Sequence, residues 1–349
     1  MRNLQTPRRL AAGVVLGLGL AALPATAARA ATFVPCSVSA LIAAISAADS
    51  SGGGTLNLAP GCTYTLTRPF NSSDAGLPAV TAAITVNAPG DTIERSSAAG
   101  TPQFFIIGVD GGKLTLNGAT IRGGNTPGDG GGIQSINAGS VTLQSSTVTG
   151  NTAGGVGGGI ASFKGGTLTL RSSSVQHNTA AGSGGGIFSG SALTLQSSSV
   201  GSNTGDSGGG VFIGANGRLT MLAGDVSGNT AASAGGGILN AGTAPATLQS
   251  ALVKGNAAAV SAGISNHGTM TLLASTVSGN TATTSVAGGI ANGGTLTLTG
   301  GTVSGNSAAV APGGIFNNGG TVALVGASVT GNHPTNCAGS PTSVPGCSG

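Results

Sequence analysis

Acidic and basic side chains are the residues of this chain that could do chemistry, and a few of them lie close together in an irregular stretch near residue 100. Hydrolysis of a glycosidic bond needs two carboxylates within about 10 Å of each other. Lyase chemistry needs a base beside a Ca²⁺ ion that several carboxylates hold. We expect Asp91 and Glu94 to approach Asp110 across neighbouring repeats, with Arg122 beside them. One hypothesis is therefore a polysaccharide lyase or glycoside hydrolase acting on acidic polysaccharide, and Ca²⁺ enters only under the lyase mechanism.

The same residues have a structural interpretation, which is an ion pair on a solvated turn that contributes little to stability. Elsewhere the acids are isolated, since Asp129 and Asp206 lie three repeats apart, about 14 Å at the spacing of paired strands. The three histidines occupy different places in the repeat. We therefore expect no metal site and no cofactor, and a non-catalytic role is favoured over an enzyme.

The composition restricts the class of protein. Of the 349 residues, 67 are Gly, 6% are charged and 39% are hydrophobic, and the mean hydropathy is +0.31. Disordered chains are polar and charged, and collagen needs Gly at every third position. Both classes are excluded, which leaves an aliphatic repeat protein with tight turns.

Residues 1–30 have the features of a secretory signal peptide, with early arginines, an apolar stretch over 11–23 and the small-residue motif Ala28-Arg29-Ala30. Four of the 12 basic residues lie in this segment, so the rest of the chain has eight basic and eight acidic residues and no net charge. We therefore expect a secreted protein, free or associated with the cell surface. It should bind no nucleic acid, and the apolar stretch is too short for stable membrane insertion.

Two short phrases recur with a period of about 26 residues, which indicates a solenoid. One is Gly-Gly-(Ile/Val), as at Ile133, and the other is Val-x-x-Asn, with a looser copy over 121–125. Between them lies an alternating segment such as Val141-Thr-Leu-Gln, typical of a half-buried strand. Three short strands and three turns per period predict an all-β parallel β-helix of about 9–11 rungs. The side-chain amides predicted to stack as a structural ladder are those of Asn125, Asn151, Asn178, Asn203, Asn229, Asn256, Asn280, Asn306 and Asn332.

The ends of a solenoid must be closed, because open ends expose core and strand edges. We expect an N-terminal cap over 31–79 with one amphipathic helix over 39–49, the β-helix over 80–332 and a C-terminal cap over 333–349. Four cysteines in an exported chain favour two disulfides. Of the three pairings, Cys36–Cys62 with Cys337–Cys347 is favoured, because each couple lies near one end of the chain.

The repeats resemble those of polymorphic outer membrane proteins, within the pectin-lyase-like group of right-handed β-helices. Gly131-Gly132-Ile133 and its successors match the first motif of that family, whereas Val148 and its equivalents stand where the family has an aromatic residue before x-x-Asn. Cys36-Ser37 and the region of Tyr64 are similar to the N-terminal module of secreted bacterial proteins with a Cys-Ser-Leu-Arg-Glu-Ala motif. The resemblance implies a right-handed coil.

A threonine recurs at the outward position of the alternating segment, from Thr115 to Thr297. Threonine favours strands, so structure alone explains such a column, but a ladder of hydroxyls also suits a glycan or ice. The sequence favours a secreted, non-catalytic β-helix scaffold for adhesion or glycan binding, which we expect to be a monomer. The enzyme is the alternative, and an ice- or glycan-binding threonine ladder is the third hypothesis.

Overall fold

A computed structural model describes residues 30–72, 74–163 and 165–349. Residues 1–29, and with them nearly all of the predicted signal peptide, lie outside this description. Within the described residues the chain is a parallel β-solenoid of about 11 turns, whose strands form four parallel sheets. No helix in the described part of the chain is long and apolar enough to cross a membrane.

Each full turn visits the four sheets in the same order, and we number them 1 to 4 along the turn. Sheet 1 contains β1 (Thr32–Val34), β2 (Gly53–Leu58), β4 (Ala83–Asn87), β7 (Lys113–Asn117), β11 (Ser140–Gln144), β15 (Thr167–Arg171), β19 (Ala192–Gln196), β23 (Arg218–Leu222), β27 (Ala246–Gln249), β31 (Thr269–Leu273), β35 (Thr295–Thr299) and β39 (Thr321–Val325). Sheet 2 contains β3 (Thr63–Leu66), β5 (Thr92–Arg95), β8 (Thr120–Arg122), β12 (Thr147–Thr149), β16 (Ser174–Gln176), β20 (Ser199–Gly201), β24 (Asp225–Ser227), β28 (Leu252–Lys254), β32 (Thr276–Ser278), β36 (Thr302–Ser304) and β40 (Ser328–Thr330).

The other two sheets complete the turn. Sheet 3 contains β9 (Asn125–Thr126), β13 (Thr152–Ala153), β17 (Thr179–Ala180), β21 (Thr204–Gly205), β25 (Thr230–Ala234), β29 (Ala257–Val260), β33 (Thr281–Ala282) and β37 (Ser307–Ala308). Sheet 4 contains β6 (Ile107–Asp110), β10 (Ile133–Ile136), β14 (Ile160–Ser162), β18 (Ile187–Ser189), β22 (Val211–Ile213), β26 (Ile238–Asn240), β30 (Ile264–Asn266), β34 (Ile290–Asn292) and β38 (Ile315–Asn317). The prediction of three strands per turn was therefore wrong, because most strands of sheet 3 are only two residues long and show no alternation.

The core is built from inward columns that run along the solenoid axis. Leu143, Leu170 and Leu195, for example, are register partners on successive strands, and each is fully buried. Burial of one such leucine contributes roughly 1.5–3 kcal/mol. The alternation of the sequence thus sends every second side chain of sheet 1 into the core and the others to the outer face.

A buried asparagine links each turn to the next at the corner between sheets 2 and 3. The Asn229 side-chain NH₂ donates to Asn256 Oδ1 at 3.0 Å and to the Val200 carbonyl at 2.9 Å. Asn229 Oδ1 in turn accepts from the backbone N–H and the side-chain NH₂ of Asn203, both at 3.0 Å. The same pattern repeats from Asn151 to Asn332, and the last amide donates to Asn336 Oδ1 at 3.0 Å, within the C-terminal segment.

The glycine phrase and the asparagine phrase pack against each other. A Cβ added to Gly159 would lie 2.9 Å from Asn178 Nδ2 and 2.8 Å from the Gly186 carbonyl, which is closer than side-chain carbons approach. Gly210 stands in the same relation to Asn229, at 2.8 Å. The second glycine of each Gly-Gly-(Ile/Val) phrase therefore makes room for the buried amide.

Asn125 does not belong to the ladder, so the sequence prediction was wrong at this residue. Its register partner is Thr152, and Gly124 occupies the ladder position, where its N–H donates to Asn151 Oδ1 at 2.9 Å. The cause is one extra residue in the looser phrase over 121–125, which moves the asparagine past the corner. Asn125 is half-exposed, whereas Asn151 is fully buried.

Both ends of the solenoid are closed and cross-linked. The helix α1 (Val38–Ser50) buries Leu41 and Ile45 in the core, and its Asp49 Oδ1 accepts from the N–H groups of Thr81 and Ala82. Sheets 1 and 2 already start at β1 and β3, upstream of residue 80, so the cap and the coil overlap. The predicted disulfides Cys36–Cys62 and Cys337–Cys347 are confirmed.

We predict that Asn229→Ala lowers the free energy of unfolding by about 2–4 kcal/mol, since each buried donor left without an acceptor costs roughly 1–3 kcal/mol. The two donors are the backbone N–H and the side-chain NH₂ of Asn203. Equilibrium unfolding in denaturant measures the change. Asn125→Ala is the matched control and should change stability by less than about 0.5 kcal/mol. Equal losses in the two variants would contradict the ladder.

Candidate functional site

Asp91 is a structural residue in the sheet 2 corner. Its side chain is 0% exposed, and Oδ1 accepts the Cys62 backbone N–H at 2.7 Å. The other oxygen, Oδ2, is buried and has no hydrogen-bond partner within the described residues. A carboxylate in this position is closed to a polymeric substrate, and it fixes the backbone beside the first disulfide.

Glu94 and Arg122 are brought together, as register partners on β5 and β8. Arg122 Nε donates to Glu94 Oε2 at 2.6 Å, and the Thr65 hydroxyl donates to Oε1 at 2.8 Å. Both oxygens of the carboxylate are therefore engaged. The arginine side chain is 53% exposed, so the pair is of the surface kind that contributes at most about 1 kcal/mol.

Asp110 lies apart from the other candidates, because it ends β6 in sheet 4 whereas Asp91 and Glu94 lie in the sheet 2 region. Its Oδ1 accepts from Asn137 Nδ2 at 2.7 Å. Together with Asp74 and Phe105 it lines a groove of about 390 Å³ beneath the loop that precedes β4. The expected meeting of Asp91 and Glu94 with Asp110 is therefore not seen.

The candidate acids do not suit Ca²⁺, which takes six to eight oxygen ligands. Asp91 is buried on a backbone N–H, and Glu94 is paired with an arginine. Within the described residues, no group of three or more His, Cys, Asp or Glu side chains is placed to hold a metal ion. These four residues therefore do not provide the combination of a base and a Ca²⁺ site that a lyase mechanism needs.

The outer face of sheet 1 carries a regular column of side chains. Ten threonines occupy one column on ten consecutive strands, each half-buried and each the register partner of the next. They are Thr55, Thr85, Thr115, Thr142, Thr169, Thr194, Thr220, Thr247, Thr271 and Thr297. At the spacing of paired strands the column is about 43 Å long. We call it the threonine column.

Two of these threonines, Thr55 and Thr85, were not anticipated from the sequence. They precede the regular repeats, and the signal that could have found them is the alternation in Thr55-Leu-Asn-Leu and Ile84-Thr-Val. The column ends at Ala323, the register partner of Thr297.

Side-chain amides flank the threonine column on one side. Asn87 Nδ2 donates to Asn57 Oδ1 at 2.8 Å, and Asn117 Nδ2 donates to Asn87 Oδ1 at 2.7 Å. Gln144 continues the row on the next strand. Hydroxyl and amide groups in parallel rows can both donate and accept hydrogen bonds, so this face can bind a ligand that repeats along the axis.

No protein family model matches the chain, and no curated protein matches it, so the resemblance to polymorphic outer membrane proteins stays a resemblance. Among solved structures, the chain is similar to the A-module of the mannuronan C-5 epimerase AlgE6 from Azotobacter vinelandii. The match has 17% identity and a TM-score of 0.48, and it covers 88% of this chain and 95% of that module. At this identity and TM-score it supports no inference about activity.

Tyr64 reports on the buried Asp91 carboxylate. The phenol is 1% exposed, and its hydroxyl donates to the Val34 and Pro35 carbonyls at 3.3 Å. Burial raises the pKa of Tyr64 above its usual value of 10.0, and the negative charge of Asp91 raises it further, against a smaller lowering by a backbone hydrogen bond at Ala59. The neutral phenol is thus the favoured form in the fold.

We predict that Asp91→Asn lowers the pKa of Tyr64, because the amide keeps the acceptor for Cys62 N–H but removes the charge. Tyr64 is the single tyrosine of the chain, so phenolate absorbance in an alkaline titration measures it directly. Since the folded pKa lies above the unfolded one, the contribution of Tyr64 to stability should be complete below pH 10 and lost as the pH rises through the folded value. Asp110→Asn is the control; an unchanged titration in Asp91→Asn would refute the assignment.

Proposed function

We propose that the protein is a secreted, non-catalytic binding scaffold that holds an extended polysaccharide along the outer face of sheet 1. The observation that carries the proposal is the unbroken register of the threonine column over ten strands. A repeating polymer gains from such a surface, because every added sugar finds the same hydroxyl group one strand further on. An extracellular location is supported by the two disulfides, which persist in oxidising compartments.

The enzyme hypothesis is less well supported by the same geometry. A hydrolase needs two free carboxylates facing one bond. Asp91 is fully buried against the Cys62 N–H, and both oxygens of Glu94 are engaged by Thr65 and Arg122. Asp110 and Asp74 share a groove, but it lies on the sheet 4 side and not beside the threonine column. Binding without turnover is therefore the function that fits these contacts.

A polymer also suits this face better than an ice lattice does. A two-dimensional lattice would match two threonine columns, as in a Thr-x-Thr motif repeated on every strand. The position two residues before the column is threonine only on β15, β31 and β35 among the ten strands, and it is Lys113, Ser140, Ala192 or Arg218 on others. A ligand that is regular in one direction alone fits this pattern.

We predict that replacing the column hydroxyls in Thr169→Val, Thr194→Val and Thr220→Val together weakens polysaccharide binding about tenfold. Valine keeps the strand propensity and removes the hydroxyl groups. Sedimentation with insoluble polysaccharides and titration with soluble ones measure the affinity over a panel of neutral and acidic polymers.

The matched control is the triple variant Thr147→Val, Thr276→Val and Thr302→Val, which removes three half-buried hydroxyls from the outer face of sheet 2. It should bind within about twofold of the parent protein. Release of unsaturated or reducing ends that disappears in Asp110→Asn would overturn the proposal and make the protein an enzyme. Freezing-point hysteresis without polysaccharide binding would favour the ice hypothesis instead.

A further inference from the structure

The outer face of sheet 1 has cations and no acid. Lys113, Arg171 and Arg218 lie on its strands, all three are exposed, and no Asp or Glu lies in any of its strands. Within the described residues none of the three side chains takes part in a salt bridge. Two cations of sheet 2 are paired with acids, Arg122 with Glu94 and Lys254 with Asp225. The third, Arg95, donates to backbone carbonyls nearby.

The three cations are regularly placed about the threonine column. They lie on β7, β15 and β23, so each is two strands from the next, about 10 Å along the axis. Lys113 and Arg218 precede the column threonine of their strand by two residues, and Arg171 follows it by two. The charges therefore alternate from one side of the column to the other, about 13 Å apart across it.

Apart from Asp49, which accepts from the N–H groups of Thr81 and Ala82 just before β4, the surface acids of the protein lie away from sheet 1. Asp74 and Asp110 line the groove next to sheet 4, and Asp129 and Asp206 lie in the turns between sheets 3 and 4. The chain without its first 30 residues carries no net charge, so this arrangement separates positive charge from negative charge. Such a separation steers an anionic ligand toward one face even when the net charge is zero.

From this placement we infer that the ligand of sheet 1 is an acidic polysaccharide, with Lys113, Arg171 and Arg218 as the residues that select it. The inference rests on the proposed function and adds the class of ligand to it. A polysaccharide lying along the threonine column meets a cation at every second strand, on alternate sides of the column. Its carboxylate or sulfate groups pair with these cations, and its hydroxyl groups bond to the threonines. Arginine and lysine are the donors that suit these anions.

The test compares polygalacturonate with its fully methyl-esterified form, which has the same backbone and no charge. The parent protein should bind polygalacturonate at least about tenfold more tightly than the ester at low salt, and salt should reduce the difference because exposed charges are screened. The triple variant Lys113→Gln, Arg171→Gln and Arg218→Gln should lose this preference. Its binding of the ester should stay within about twofold of the parent.

The control variant Arg68→Gln, Arg122→Gln and Lys254→Gln removes the same total charge from outside sheet 1. It should keep the preference for polygalacturonate. Equal losses in both triple variants would overturn the inference, since net charge alone would then explain binding, and so would equal affinity of the parent for the two polymers. These results differ from failure of the proposed function, in which the parent binds neither polymer and no other polysaccharide of the panel.

Discussion

The structure depends on the buried asparagine amide at the corner between sheets 2 and 3, together with the glycine that makes room for it. Each amide bonds to the turn before it and to the turn after it, as Asn229 does between Val200 and Asn256. Any side chain at the facing glycine would occupy the place of the amide. Because an unpaired buried amide is costly, a turn that slipped by one residue would break two links at once. From the turn of Asn151 onward, the corner therefore fixes the register of all four sheets.

The register explains how much of the fold could be predicted from the sequence. Where both phrases are present, their period of about 26 residues places the inward columns and the amide ladder correctly. The prediction fails where the phrases loosen, as at Asn125, because the extra residue before it becomes visible only through its pairing with Thr152. The short strands of sheet 3 carry no alternation of their own. The strands β1 to β3 precede the repeats altogether, so only their pairing places them in the coil.

The surroundings of the candidate acids depend on contacts between irregular turns, which the sequence pattern does not specify. Asp91 and Cys62 are 29 residues apart, and nothing in either segment indicates that a carboxylate caps that N–H. The pairing of Glu94 with Arg122 follows from the register of β5 and β8, which lie before the first regular phrase. The sequence of such a region therefore shows which residues are charged, but not which of them meet. Asp110 is separate from the others because it lies in sheet 4 and they lie in the sheet 2 region.

The inward positions of the solenoid are constrained by packing between turns, whereas the outward positions are less constrained. Inward positions are occupied by aliphatic side chains, methionine, asparagine or glycine, because each contacts the turns on both sides. Outward positions on sheet 1 need only strand propensity, and threonine meets that need while offering a hydroxyl. The fold therefore does not require a cation at Lys113, Arg171 or Arg218, where other strands have neutral residues. Since these exposed cations gain nothing from the core, their regular placement supports our proposal of a ligand that carries the opposite charge.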